Sequence, residues 1–86
     1  MDSAPILYTK RGCPYCARVM TFLDEHGVSY VEKEVLGNPA AFEEMKAKSG
    51  KTIAPTLDWY GKILADFDVE ELKPFLQEQE VRLEDS

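Results

Sequence analysis

The 86-residue sequence predicts a small α/β domain whose elements follow the order β-α-β-α-β-β-α. Apolar residues switch along the chain between a strand-like alternation and a helical period, and turn residues separate the segments. A chain of this length buries only about 60% of its unfolded surface, so one core has to serve the whole molecule. We therefore expect a single domain over residues 1–79, followed by an acidic, frayed tail over residues 80–86.

The first half of the chain predicts a parallel βαβ unit. Ile6–Thr9 is a short β-favouring run, and Val28–Val35 alternates apolar and polar residues with Val28, Tyr30 and Val35 facing inward. Between them a helical period runs to Gly27, a residue typical of helix ends. Its apolar positions are Cys16, Val19, Met20 and Leu23. Because a whole helix separates the two strands, we expect them to be parallel.

The second half predicts a helix followed by a β-hairpin. Asn38-Pro39 supplies a capping side chain and a suitable first helical residue, and Ser49-Gly50 ends the helix. Thr56–Tyr60 and Ile63–Ala65 then flank Gly61-Lys62. A two-residue connection that begins with glycine is typical of a type II′ turn, so these strands should be antiparallel.

A third helix is predicted to start at Asp68, which can form a capping box with Glu71. The apolar face of this helix consists of Leu72, Phe75 and Leu76. Pro74 lacks the N–H that would bond to the carbonyl of Glu70, a loss of roughly 3 kcal/mol in a helix interior. We therefore expect a kink or a broken first turn here.

Charge and hydropathy exclude several classes of partner. The formal net charge is −6 at pH 7, which argues against a nucleic-acid partner because such affinity rests on clustered basic residues. No apolar run approaches the roughly 20 residues that span a bilayer, so we expect no membrane partner. Residues 1–5 lack the pattern of a secretory signal, which favours the cytoplasm. Near the cysteines, by contrast, the charge is locally positive, from Lys10, Arg11 and Arg18.

Two cysteines lie where the first predicted strand meets the first helix, in the motif Cys13-Pro14-Tyr15-Cys16. Such a pair can be a redox dithiol, half of a zinc site or two inert core thiols. Zinc is disfavoured because one chain offers only His26 as a further ligand, and about 15 Å of helix separates it from the motif. A thiol at a helix N-terminus faces unpaired N–H groups that favour the thiolate. The spacing beside a βαβ unit therefore favours the redox dithiol.

The stretch from Tyr8 to Cys16 closely resembles the active-site stretch of dithiol glutaredoxins, whose signature is C-P-Y-C. The similarity continues through Gly27 to Tyr30, through Ser49 to Thr52 and to Pro55. This resemblance implies the thioredoxin fold in its minimal form, a four-stranded mixed sheet with three helices. It also implies an enzyme that reduces glutathione mixed disulfides and protein disulfides through Cys13 and Cys16.

The resemblance further implies a glutathione site beside the cysteines. Its residues would be Lys10, Tyr15, Ala54, Pro55, Asp68 and Val69. In this family the proline has a cis peptide bond, the backbone of the preceding residue pairs with glutathione, and the lysine faces a glutathione carboxylate. Glutathione would be the reducing co-substrate. No permanently bound cofactor and no metal are expected, the partners are disulfide-containing or glutathionylated proteins, and the chain should be a monomer.

One segment departs from the family pattern. Glutaredoxins usually carry Gly-Gly-x-Asp-Asp before the last helix, whereas this chain reads Ala65-Asp66-Phe67-Asp68-Val69. Neither glycine is present, and Asp66 adds negative charge where a glutathione carboxylate should dock. Two alternatives therefore stay open. One is a thioredoxin-like electron donor, reduced by a reductase with little dependence on glutathione. The other is a dimer that shares an iron–sulfur cluster, which Pro14 disfavours by stiffening the cysteine loop.

Overall fold

A four-stranded mixed sheet with three helices forms the structure, a computed structural model that describes residues 4–81. In chain order the elements are β1 (Ile6–Thr9), α1 (Pro14–Glu25), β2 (Val31–Glu34), α2 (Pro39–Ser49), β3 (Thr56–Trp59), β4 (Lys62–Ala65) and α3 (Val69–Glu78). The strand order is β2-β1-β3-β4. β1 is parallel to β2 and antiparallel to β3, and β3 is antiparallel to β4. The predicted order of elements and the minimal thioredoxin fold are confirmed.

Two hydrophobic clusters pack on opposite faces of the sheet. Neighbouring side chains of a strand point to opposite faces, so Leu7 belongs to the first cluster and Tyr8 to the second. The first cluster joins α1 and α3 through their apolar faces. The second contains Met45 of α2 together with Cys16 and Ala54, and Cys13 packs against it. The second cluster therefore connects α2 to the cysteine motif.

Side-chain caps define the starts of α2 and α3, as predicted. Asn38 Oδ1 accepts a hydrogen bond from the backbone N–H of Ala41 at 3.2 Å. Asp68 and Glu71 form the reciprocal capping box of α3, in which Glu71 Oε1 accepts from the N–H of Asp68 at 2.7 Å. Gly50 ends α2 with a φ of 71°, a left-handed conformation that favours glycine. These caps explain why local sequence located both helices.

The prediction for the second strand was wrong in its length, because β2 covers only Val31–Glu34. Its parallel partner β1 has four residues, and they pair in register from Ile6 with Val31 to Thr9 with Glu34. Val28 and Val35 are buried as predicted, but they lie outside the strand. The N–H of Val28 donates instead to the carbonyl of Leu23 at 2.9 Å, in the turn after α1.

The predicted type II′ turn at Gly61-Lys62 was also wrong. Trp59 pairs with Lys62, so the two turn residues are Tyr60 and Gly61. Both have positive φ, 50° and 95°, which is the pattern of a type I′ turn. Asp58 Oδ1 supports the turn by accepting from the N–H of Gly61 at 2.8 Å.

Pro74 neither breaks the first turn of α3 nor splits the helix, which runs without interruption from Val69 to Glu78. The capping box and the full burial of Leu72 and Leu76 stabilise the helix against the loss of one backbone hydrogen bond. Residues 82–86 of the expected tail lie outside the described residues, so the tail remains a prediction. Within residues 4–81, no helix has both the length and the apolar character needed to cross a membrane.

Candidate active site

Cys13 lies at the mouth of α1, where it occupies the N-cap position. Its backbone is extended, with φ −89° and ψ 112°, and Pro14 takes the first helical position. The N–H of Cys16 donates to Cys13 Sγ at 3.3 Å. A sulfur at this position faces the unpaired amides and the positive end of the helix dipole, both of which stabilise negative charge. The predicted placement of Cys13 at a helix N-terminus is confirmed.

Cys16 lies one turn further along and is shielded from solvent. Its residue is 2% exposed, whereas Cys13 is partly exposed, and both are free thiols. Burial, and next the hydrogen bond with Cys13, raise the pKa of the Cys16 thiol to about 12. The two sulfurs thus differ in solvent access and in environment. Cys13 is accessible to a substrate, whereas Cys16 is buried behind it and protonated at neutral pH.

A groove of about 240 Å³ lies beside the cysteine motif. Its lining consists of Tyr15, Ala54, Pro55, Asp66, Phe67, Asp68 and Glu71. The Ala54–Pro55 peptide bond is cis, as the resemblance implies. The backbone N–H and carbonyl of Ala54 have no hydrogen-bond partner among the described residues. Four of the six residues expected to bind glutathione therefore line one groove, next to a free backbone segment.

Lys10 and Val69 do not line this groove. Lys10 Nζ donates to the carbonyl of Thr52 at 2.8 Å, and Lys10 shares a smaller depression with both cysteines. Val69 lines a separate, mainly apolar depression between α1 and α3. The N–H of Val69 already donates to Asp68 Oδ1 at 2.7 Å. An anion at the start of α3 would have to displace this cap.

The positive patch around the cysteines is mostly neutralised by acidic partners. Arg11 lies 3.5 Å from Glu34 Oε1, and Arg18 lies 2.9 Å from Asp68 Oδ2. Arg18 bonds Asp68 through two nitrogens, and its guanidinium stacks 4.6 Å from the centroid of the Tyr15 ring. Hydrogen bonding by Arg18, and next the cap N–H of Val69, lower the pKa of Asp68. The electrostatic field near Cys13 is therefore more balanced than the sequence suggested.

Sequence reasoning missed Glu34 as an anchor of the active-site loop. Its carboxylate accepts from the N–H groups of Arg11 at 3.1 Å, Leu36 at 2.9 Å and Gly37 at 2.8 Å. Desolvation of the Glu34 carboxylate acts to raise its pKa, but these backbone donors outweigh that effect and lower the pKa of Glu34. No local spacing signals a contact that crosses 23 residues. The stacking of Tyr15 with Arg18 was more accessible, because residues three apart meet on a helix.

The described residues offer no group of three or more histidine, cysteine, aspartate or glutamate side chains placed to hold a metal ion. Cys13 and Cys16 are the only cysteines of the sequence. Within residues 4–81, Cys13 is partly exposed to solvent and Cys16 is buried behind it.

Comparison with known proteins points in the same direction as this geometry. The family model for glutaredoxin matches residues 6–64. Glutaredoxin 3 of Escherichia coli strain K12 is 45% identical over 51 residues, which cover 59% of this chain and 61% of that protein. The match thus spans less than two thirds of the length of this relative.

Solved structures share the fold across most of the chain. A thioredoxin-like protein superposes with a TM-score of 0.77 at 30% identity, covering 84% of this chain and 99% of its own. The complex of buckwheat glutaredoxin with glutathione superposes with a TM-score of 0.69 at 19% identity, covering 88% of this chain and 70% of its own, which bears on the fold alone. From the family match, the C-P-Y-C motif and the groove beside it, the chain belongs to the glutaredoxin family.

Proposed function

We propose that this protein is a dithiol oxidoreductase that reduces glutathione mixed disulfides and protein disulfides. In this proposal Cys13 is the nucleophile, Cys16 resolves the intermediate, and glutathione is the reducing co-substrate. The observation that carries the proposal is the contrast between the two thiols. Cys13 caps α1 with an amide N–H on its sulfur, and Cys16 is buried one turn behind it.

The reaction begins when the Cys13 thiolate attacks one sulfur of the substrate disulfide. A new S–S bond forms to Cys13, the substrate bond breaks, and the departing thiolate takes a proton from solvent. The intermediate is then resolved in one of two ways. Cys16 can lose its proton and attack Cys13 Sγ, which leaves an internal disulfide, or glutathione can attack the mixed disulfide.

The raised pKa of Cys16 supports this division of labour. A thiol with a pKa of about 12 is almost entirely protonated at neutral pH and is a poor nucleophile toward a free substrate. Once a disulfide forms on Cys13, however, Cys16 lies one helical turn away and attacks within the same molecule. Such proximity replaces a bimolecular step by a far faster unimolecular one.

The groove supplies the substrate-binding surface of the proposal. Ala54 offers a free N–H and carbonyl, which suit pairing with an extended peptide such as that of glutathione. Tyr15 is half exposed and gives the groove a flat apolar wall. Asp68 lines the same groove. Lys10 Nζ is bonded to the carbonyl of Thr52, two residues before Ala54, and would have to leave it to reach a carboxylate in the groove.

One observation favours a second candidate, an electron donor reduced by a reductase with little dependence on glutathione. The groove holds the carboxylates of Asp66, Asp68 and Glu71, and no basic side chain of the described residues lines it. This charge opposes the docking of the glutathione carboxylates. Reduction of the oxidised protein by thioredoxin reductase but not by glutathione would select this candidate.

We further propose that the protein works as a monomer in the cytoplasm without a permanently bound cofactor. Two free thiols that have to be kept reduced, and a glutathione co-substrate, suit a reducing compartment. Absorbance in the visible range after purification would contradict the absence of a cofactor and would favour the cluster-bridged dimer instead.

The decisive test compares Cys13→Ser with Cys16→Ser in turnover of a small glutathione mixed disulfide with glutathione as reductant. We expect Cys13→Ser to be inactive and Cys16→Ser to keep turnover, because glutathione can resolve the intermediate without the second thiol. With a protein disulfide as substrate, both variants should lose steady-state activity. Each variant is the matched control of the other, and equal behaviour of the two with the glutathione substrate would contradict the assigned roles.

A further inference from the structure

Asp66 holds the one carboxylate in the groove that lacks a partner. Asp68 Oδ1 accepts from Val69 and Arg18, and Asp68 Oδ2 accepts from Arg18. Glu71 Oε1 accepts from the N–H of Asp68 at 2.7 Å. The carboxylate of Asp66, by contrast, has no hydrogen-bond or ion-pair partner within residues 4–81. The carboxylates of Asp68 and Glu71 thus cap the start of α3, whereas the carboxylate of Asp66 is exposed to solvent at the groove.

The backbone fixes the position of Asp66 at the rim. Its N–H donates to the carbonyl of Pro55 at 3.0 Å, which ties the residue to the cis-proline loop. Its φ is 56°, a left-handed conformation that glycine adopts freely and that aspartate and asparagine tolerate better than most residues. The charge is therefore held beside Ala54, where an extended substrate would pair with the backbone.

The cations near the motif are held by other groups. Arg18 is bonded to Asp68 and stacked on Tyr15. Lys10 donates to the carbonyl of Thr52 and lines a separate depression with the cysteines. Among the described residues, none of the groove-lining side chains is basic. A partner that brings its own positive charge would therefore meet an unneutralised carboxylate, and a partner that brings a carboxylate would be repelled.

We infer that Asp66 is the specificity residue of this groove and selects protein disulfides that carry lysine or arginine next to the reacting cysteine. This inference rests on the proposed function and names its substrate class. The groove would bind the extended client segment through Ala54 and through Asp66, and it would disfavour the doubly carboxylated glutathione. An exposed charge contact changes affinity by about 1.4- to 5-fold, so lysine and glutamate at one position should differ by about fivefold.

The test uses two short peptides that differ in one residue beside a single cysteine, lysine in one and glutamate in the other. Each cysteine carries a neutral mercaptoethanol cap through a disulfide. Reduced protein is mixed with each peptide in a single turnover without any reductase. The two protein thiols become a disulfide while the capped peptide yields a free peptide thiol and mercaptoethanol, so electrons and protons balance. The measured quantity is the ratio of the two second-order rate constants within each variant.

We expect wild type to reduce the lysine peptide about fivefold faster at low ionic strength, and the ratio to approach one at about 1 M salt, where charges are screened. Asp66→Asn removes the charge and keeps a side chain that tolerates positive φ, so its ratio should also approach one. Glu70→Gln is the matched control, because it removes one exposed charge from the first turn of α3 without touching the groove. Its ratio should stay near that of wild type.

Different outcomes overturn different claims. If wild type reduces both peptides equally fast, or if Asp66→Asn keeps the wild-type ratio, the inference fails and the proposed function stands. If wild type reduces neither peptide, the proposed function fails and the inference with it. A further arm uses the glutathione mixed disulfide, for which Asp66→Asn should be faster than wild type. A slower reaction would mean that Asp66 pairs with the glutathione ammonium, which would also overturn the inference.

Discussion

Replacing Met45 by alanine should loosen the environment of Cys16 as well as lower stability. Met45 is fully buried in the cluster that contains Cys16 and Ala54. Truncating a buried methionine to alanine costs about 2–5 kcal/mol through lost burial and the remaining cavity. A chain of this size has only about 4–13 kcal/mol of total stability, so the variant should fold with a reduced margin.

The matched control is Leu76→Ala, which removes a fully buried side chain from the cluster on the opposite face of the sheet. A loss of about 3 kcal/mol raises the unfolded fraction about 150-fold in either variant. Global unfolding therefore exposes Cys16 to a similar degree in both. Any excess exposure of Cys16 in Met45→Ala reports local loosening beside the motif.

The assay combines urea unfolding, which gives the stability of each variant, with alkylation by iodoacetamide in the absence of denaturant. Mass spectrometry of the digested protein separates modification at Cys16 from modification at Cys13. At matched loss of stability, we expect Met45→Ala to show faster alkylation of Cys16 than Leu76→Ala. Equal rates for the two variants would refute the reasoning that the second cluster shields the Cys16 thiol.

Three further predictions concern stability and can be measured by urea unfolding. Asn38→Ala should cost about 1 kcal/mol, because it removes the N-cap of α2; no change in the urea midpoint would contradict the cap. Gly61→Ala should cost about 1 kcal/mol, because φ is 95° in the Tyr60-Gly61 turn, whereas Lys62→Ala serves as the control with a smaller loss. Burial of the Asp58 carboxylate acts to raise its pKa, but Lys48 and the Gly61 N–H outweigh this effect and lower the pKa. The charged carboxylate therefore adds to folding stability above the unfolded pKa of about 4, and this stability is lost as the pH falls through the lower folded pKa. Asp58→Asn should therefore flatten the loss of stability in acid, and an unchanged acid slope would count against the Lys48 pair.

Local signals were sufficient for most of the fold. The helical period, the Asn38-Pro39 start and the Asp68 capping box are written in neighbouring residues, and each located its helix. The end of the second strand was not local, since the four residues of β1 limit how far β2 can pair. The hairpin turn failed for a related reason. The pairing of Trp59 with Lys62 places Tyr60 in a turn position with positive φ. Tyrosine is not typical of such positions, so local sequence provided no signal for this turn.

The candidate site likewise has one part that local sequence predicted and one part that it did not. The spacing of Cys13 and Cys16 after a strand predicted their placement at a helix mouth. The composition of the groove depends on contacts between residues far apart in the chain, such as the pair of Arg18 with Asp68, which lie 50 positions apart. The Asp68 carboxylate accepts from Arg18 and from the N–H of Val69, so neither group is free for a ligand unless these bonds break, which the motif alone did not indicate.

The guanidinium of Arg18 belongs to the helix that carries the cysteines, yet it grips the residue that caps the last helix. Arg18 thus links the second turn of the cysteine helix to the residue that starts the last helix. Because the pair is partly exposed to solvent, it links the two helices only weakly. The relative position of the two helices therefore depends mainly on the apolar cluster that they share.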